Sequence, residues 1–427
     1  MHSIIYKENS SSLGKHFSYI LMLSIIFDIS TYFYGDSSNM PMIRGIIIYG
    51  YVFFIINKFL HYKQAALNLS IILLLLYWLI LIPFSSKPIV SLNFYSKAVF
   101  PFIILFIVNN SNSTIRDFKY FFISFSFIIL ASILFFFIVN LLGINNESYV
   151  NSEVTSYIYT GLSDGKLYAQ AVAIILFPFI WYSFTLTKKQ KYYIYILLFL
   201  VIVFSIISVR RTTFMIIILG TLLFYYFSNR INLLFKVVPS LILILLLSSP
   251  LWISYLKSRI ELRANVYNQD YSFKEEGRYM ETIFVLKESV IDADLKRFFI
   301  GKELFNSSGI YGDGVYGDRK LHVDYINILF SSGAIGVILY IILYIVLLKT
   351  FLKKWKNNNM LPKYLLLNLK GLFISMYITS IFISFSGQMY EMTFRTMLFG
   401  TMGIIISILN NSQSNKKIKP LKNNINK

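Results

Sequence analysis

The chain has 427 residues, of which 56% are hydrophobic and 18% aromatic, and a formal net charge of +20. That is too apolar for one soluble domain of this length, and the apolar residues fall in runs near twenty, enough to span about 30 Å of hydrocarbon at about 1.5 Å per helical residue. With no cysteine, disulfides, zinc–thiolate sites, iron–sulfur clusters and thiol catalysis are excluded, and the positive charge reads as loop lysine and arginine of a membrane protein, not as a nucleic-acid surface.

Taken in order, the runs predict an all-α polytopic membrane protein with about twelve transmembrane helices. The spans are 17–34, 43–60, 67–84, 91–109, 118–142, 166–186, 191–209, 212–228, 234–254, 324–348, 364–385 and 394–410. The fourth carries Lys97 and Pro101, unusual in such a helix. No small-residue cleavage site follows the first run, so it reads as an uncleaved signal-anchor helix. The chain divides into 1–254 with nine spans, a large polar loop 255–323 containing short helices, 324–410 with three spans, and a basic tail 411–427. The segment 143–165 is a second, shorter polar loop.

Lysine and arginine set the orientation. One set of connections holds Lys7, Lys15, Lys58, Lys63, Arg116, Lys119, Lys188, Lys189, Lys191, Arg230 and Lys236. It continues with Lys349, Lys353, Lys354, Lys356, Lys363 and the lysines of the tail. The opposite short connections hold Arg44, Lys87, Lys166, Arg210, Arg211 and Arg395, with Lys97 beside them. Both termini are therefore expected in the cytoplasm, in a multi-pass protein of the cytoplasmic (inner) membrane, and the 255–323 loop is expected to face outward. That loop, with Asp324 at its end, carries twelve of the twenty carboxylates.

Three places in this outer region carry candidate chemistry. Arg210 and Arg211, in SVRRTTF, break the charge rule. They fall at a helix start, where free backbone N–H groups favour an anion. Guanidinium groups grip phosphate bidentately, so the pair reads as a pyrophosphate clamp; the alternative is two arginines snorkelling to headgroups. Arg278 follows Gly277 at the start of a short amphipathic helix marked by Tyr279, Ile283, Leu286 and Val290. A cation at a helix N-terminus opposes the macrodipole, which an anionic ligand between them would relieve; pairing with Glu275, Glu276 or Glu281 is the alternative. His322, at the mouth of the tenth span, suits general-base work on a hydroxyl. Asp324, two residues on, reads as the base instead or as an orienting partner. The alternative for His322 is a helix-capping role.

Other matches fail their context. Gly312, Gly314 and Gly317 spell a dinucleotide fingerprint without a strand before or a helix after. Asp292 and Asp294 spell a sugar-nucleotide DxD on the side away from sugar nucleotides. The Asp313/Asp318 turn lacks EF-hand spacing. Asp28 is a lone intramembrane carboxylate.

The order and spacing of these features resemble the superfamily of O-antigen polymerases (Wzy-type) and O-antigen ligases. There the outer loop ends in a histidine followed eleven and fourteen residues later by two glycines that open a span. Gly333 and Gly336 hold those offsets from His322. An arginine at an outer helix start and a Gly-Arg in the loop match Arg210/Arg211 and Gly277–Arg278. The resemblance covers mainly 205–345. Many members, ligases especially, carry Asn after the histidine, where this chain has Val323.

The resemblance implies a metal-independent, cofactor-free, inverting glycosyltransferase whose donor is an undecaprenyl-pyrophosphate-linked oligosaccharide. Arg210, Arg211 and Arg278 would hold the pyrophosphate, and His322 would activate or position the acceptor hydroxyl. Membrane lipid, a flippase and a chain-length regulator are the implied partners. A polymerase adds the glycan to another lipid-linked repeat unit, of O-antigen or capsule, and a ligase to lipid A-core. Tyr267, Tyr271, Tyr311 and Tyr316 would stack sugars, or else serve as interfacial aromatics. From other classes, a lipid-linked oligosaccharide flippase or transporter would show broken or charged helices near the midplane and repeat symmetry. A non-enzymatic assembly partner would leave the clustered Arg, Arg and His without a role.

Overall fold

A computed structural model of the chain describes residues 13–34, 40–59, 65–141, 164–208, 211–235, 277–308, 310–311, 321–385 and 389–414, with the single positions 239, 243, 246, 253 and 387. The described residues form helices and turns, with no strand among them. The first eight helices are α1 (Leu13–Tyr34), α2 (Met40–Phe59), α3 (Ala65–Leu81), α4 (Pro88–Asn109), α5 (Asp117–Leu141), α6 (Asp164–Ser183), α7 (Lys188–Ser208) and α8 (Arg211–Phe227). In the loop region come α9 (Gly277–Leu286), continued by a π-turn (Lys287–Ile291), and α10 (Leu295–Ile300). The last three are α11 (Asp324–Lys356), α12 (Lys363–Ser384) and α13 (Met392–Ser414).

Five segments are long and apolar enough to cross a membrane: Ala65–Phe84, Pro88–Asn109, Asp324–Lys356, Lys363–Ser384 and Met392–Gln413. This is the make-up of a multi-pass membrane protein. Eleven of the twelve expected spans coincide with described helices to within a few residues, apart from the tenth, which runs on to Lys356. The ninth, 234–254, lies almost wholly outside the described residues. The doubtful fourth span is one unbroken helix, with Pro101 buried inside it.

Helix α13 is the axis of the bundle and is buried along its apolar length. It packs on α1, α4, α6, α11 and α12. Its glycines allow this closeness: a Cβ on Gly403 would crowd Leu105 and Val108 of α4, and one on Gly400 would strike the Phe17 ring of α1. Serine and threonine hydroxyls inside the helices bond back to carbonyls one turn earlier, as in Ser205 to Val201 (2.7 Å) and Thr401 to Met397 (2.6 Å). Such back-bonding satisfies these hydroxyls in an apolar setting.

Helix α11 is not continuous. Gly333 has φ 64° and ψ −166°, a left-handed value that breaks the helix. The break lets the C-terminal end of α10 press against it: a Cβ on Gly333 would overlap the Phe299 carbonyl, and one on Gly301 would lie 2.6 Å from the Ser331 carbonyl carbon. Carbonyls at the break find donors elsewhere. Phe330 O accepts the Lys302 N–H (2.7 Å), and Ser332 O accepts the Tyr77 hydroxyl (2.8 Å).

Candidate functional site

His322 stands immediately before α11, with Val323 as the extended residue that starts the helix. Its side chain is 38% exposed. Behind it lies Glu281 of α9, whose carboxylate is 1% exposed. One carboxylate oxygen accepts the His322 backbone N–H (3.3 Å), and the other lies 3.4 Å from Nδ1 of the ring. A single buried carboxylate therefore accepts from the main chain and faces the imidazole. A proton on Nδ1 facing the carboxylate leaves Nε2 as the ring's basic nitrogen.

The other side of His322 is closed by the turn between α12 and α13. Gly387 has φ 74°, and a Cβ there would sit on the His322 carbonyl oxygen. Only glycine meets both demands, the left-handed backbone and the absent side chain. The turn is fixed from beneath. Asp324 and Arg395, each 2% exposed, form a buried ion pair. Asp324 also accepts the Met389 N–H (3.0 Å), while Arg395 donates to Ser384 (3.1 Å) and Tyr340 (3.3 Å). Asn327 donates to the Tyr390 hydroxyl (2.7 Å) and accepts from Ser331, which accepts the Phe305 N–H (3.0 Å). Burial pushes the Tyr390 phenol well above its ordinary value, so it stays a neutral hydrogen-bonding group. The result is a continuous polar network from α11 to the α12–α13 turn and the loop after α10.

These placements revise several expectations. Asp324, read as a base or as the partner of His322, is instead consumed by Arg395 and the Met389 amide, out of reach of solvent. The carboxylate that faces the imidazole is Glu281. Arg395, read as a cation in a short connection, is a buried residue of α13. Tyr311, offered as a sugar-stacking ring, is 1% exposed and packed with Val285, Leu321 and Phe330. Asp294 caps α10 by accepting the Arg297 N–H (2.6 Å), a local role that accounts for it without a metal.

The arginines are placed by backbone alone. Arg211 is the first residue of α8, at a helix start as expected, and Arg278 is the second of α9. Arg210 lies outside the described residues, as do Tyr267, Tyr271, Tyr316, the glycines 312, 314 and 317, and Asp313 and Asp318. In α9 the backbone of Arg278 lies three residues before Glu281. Helices α8 and α12 run antiparallel, with Gly220 beside Thr379 and Gly371 against Phe224 and Ser228. Continuing that register from Gly220 back to Arg211 reaches the level just past Ser384, where the turn beneath His322 begins. The backbones of Arg211 and Arg278 therefore start at the same end of the bundle as the His322 ring.

Glu281 was the functional residue hardest to see in sequence. It interrupts an apolar stripe in GRYMETIFVL, and a lone acid in an amphipathic helix reads as solvated. The structure reverses that helix: Glu281, Val285 and Ser289 are buried, while Tyr279, Ile283, Leu286 and Val290 are exposed. No family model matches the chain, and no curated protein aligns with it.

Proposed function

We propose that the protein is a polysaccharide polymerase, acting on O-antigen or capsule repeat units at the outer face of the cytoplasmic membrane. The observation that carries this reading is the half-exposed His322 ring gripped by the buried carboxylate of Glu281, at the end of the bundle where α8 and α9 begin with Arg211 and Arg278. In the proposed arrangement about twelve helices span the membrane, both termini are cytoplasmic, and the loop 255–323 faces outward.

The step is a glycosyl transfer. The donor is a growing glycan on undecaprenyl pyrophosphate, and the acceptor is a hydroxyl of a second lipid-linked repeat unit. Nε2 of His322 takes the hydroxyl proton as the acceptor oxygen attacks the anomeric carbon from the face opposite the leaving group. The bond from that carbon to the pyrophosphate oxygen breaks, its electron pair leaves with undecaprenyl pyrophosphate, and the configuration inverts. Arg210, Arg211 and Arg278 stabilise the charge that develops on the pyrophosphate. A positioned general base contributes about 10²–10⁴ in rate, the share assigned to His322. Glu281 fixes the ring that does this, and Asp324 supports the turn beneath it. A flippase and a chain-length regulator are the proposed protein partners.

Transfer to lipid A-core, the ligase alternative, is weaker because Val323 stands where ligases especially carry Asn. One structural observation favours the transporter alternative: α11 is broken at Gly333, as helices of transporters are. The backbone groups at that break are nevertheless satisfied by Lys302 and Tyr77, with Trp78 donating to the Ser332 hydroxyl (3.2 Å). Those groups are thus taken up by protein donors and not held open for a substrate, which favours the polymerase reading.

The test is direct. Lipid-linked repeat units extracted from cells lacking the protein are incubated with the purified protein in vesicles. A ladder of multiples with the wild type, absent with His322→Ala, is the expected result. A wild-type protein that moves the lipid across the bilayer without lengthening the glycan would establish the transporter instead.

A further inference from the structure

The loop helices are built the wrong way round for water. On α9 the acid Glu281 faces inward, as does Ser289 of the π-turn that continues it, while Tyr279, Ile283 and Leu286 are exposed. The pattern continues past the π-turn into α10, where Leu295 is 78% exposed and Phe299 also faces outward. A helix in water places its apolar stripe on the protein and its charges outside. Here α9 inverts that order, and α10 adds exposed apolar side chains while burying none of its own.

Depth gives a second, independent argument. The Phe299 carbonyl accepts a hydrogen bond from the Tyr77 hydroxyl (3.3 Å), and Gly301 presses on the break in α11. Tyr77 lies about 10 Å along its helix from the end of the Ala65–Phe84 span, at the usual rise per residue. The break at Gly333 lies inside the Asp324–Lys356 span. The tip of α10 is thus held beside two segments apolar enough to lie in lipid, below the level at which they end. Charged groups at its entry, Asp292 and Lys296, are exposed, as at a headgroup boundary.

We propose that α9, the π-turn and α10 form an interfacial element whose exposed apolar face is inserted among the acyl chains of the leaflet on the His322 side. Insertion of about 5–10 Å is typical of amphipathic elements lying in a membrane interface. The occupant of this face is bulk lipid. Its consequence is positional: the same helix that buries Glu281 against His322 rests its opposite face on the membrane, so the imidazole is held at a fixed height above the bilayer.

Because the natural sequence contains no cysteine, single labels need no prior engineering. Phe299→Cys and Leu286→Cys, each carrying an environment-sensitive nitrobenzoxadiazole dye, are reconstituted as full-length protein in phosphatidylcholine–phosphatidylglycerol vesicles. Quenching by acyl-chain-doxyl phosphatidylcholine is compared with quenching by aqueous iodide. At both positions the lipid quencher is expected to act at least twofold more strongly than iodide, with blue-shifted emission. Stronger iodide quenching would place the face in water and overturn the proposal. Protection from both quenchers would mean a protein segment covers it, and would overturn it equally. Leu286→Cys reads the same face should Phe299→Cys fail to insert, and neither result depends on glycosyl transfer.

Discussion

The two ends of the bundle are tied in different ways. At the end opposite His322 the ties are neutral side chains. Asn68 and Asn110 exchange hydrogen bonds (2.9 and 2.7 Å), Ser407 links to Ser113 N–H and Ser111 O (3.0 and 2.6 Å), and Asn358 donates to Leu409 O (3.2 Å). The one buried acid at that end among the described residues, Asp117, serves as a cap, accepting the N–H groups of Gly14 (3.2 Å) and Thr114 (2.6 Å). At the His322 end buried acids carry the ties: Asp324 forms an ion pair with Arg395, Glu281 faces the His322 ring, and Glu303 accepts the Ser86 N–H (2.9 Å) and the Ser85 hydroxyl. Neutral amide and hydroxyl bonds hold helices together at little desolvation cost. Buried charges are an expensive way to do the same work, so their concentration at one end marks where the molecule needs a fixed electrostatic geometry.

The largest expected effect comes from splitting the ionic core. Arg395→Ala or Asp324→Ala leaves one buried charge without its partner and should cost about 3–5 kcal/mol. It would be read as a collapse of folded yield and of the thermal midpoint in detergent. If both variants kept the wild-type midpoint, the pair would not be the support of the α12–α13 turn. Gly387→Ala should cost about 1–3 kcal/mol for backbone strain alone. Because the added methyl would displace the His322 carbonyl, polymer length should fall more than folded yield, as judged by a polysaccharide ladder beside a membrane immunoblot. At the other end, Asp117→Ala should cost about 1–3 kcal/mol through unsatisfied N–H groups, with activity per folded molecule unchanged. Ser407→Ala should cost about 1 kcal/mol on the same scale. An activity loss in either of those variants, beyond the loss of folded protein, would erase the distinction between the ends.

The helical layout was legible because each apolar run near twenty residues has one common solution in lipid, and helix ends fell close to where polar residues resume. His322 was legible from its position at the mouth of a span, and Arg211 and Arg278 from their places at helix starts. Glu281 was not, because its role depends on which face of α9 turns toward α11. A stripe of Tyr279, Ile283 and Leu286 reads as a core face unless the helix is known to rest on lipid. Asp324 was misplaced for a related reason: two residues from His322 in sequence, it lies on the first turn of α11 and points at a partner 71 residues later. Gly333 was visible as a glycine, but not as the break into which α10 packs. Periodicity identifies elements, whereas ion pairs distant in sequence need the packing.

The proposed role of Glu281 is to hold His322 for proton transfer. It is tested by the rate of glycan extension by purified Glu281→Gln, measured with the extracted lipid-linked repeat unit and beside its thermal midpoint. The expected rate is at least about 10-fold lower, a fraction of the general-base contribution, with KM and the midpoint close to wild type. A variant that extends the glycan at the wild-type rate would contradict it.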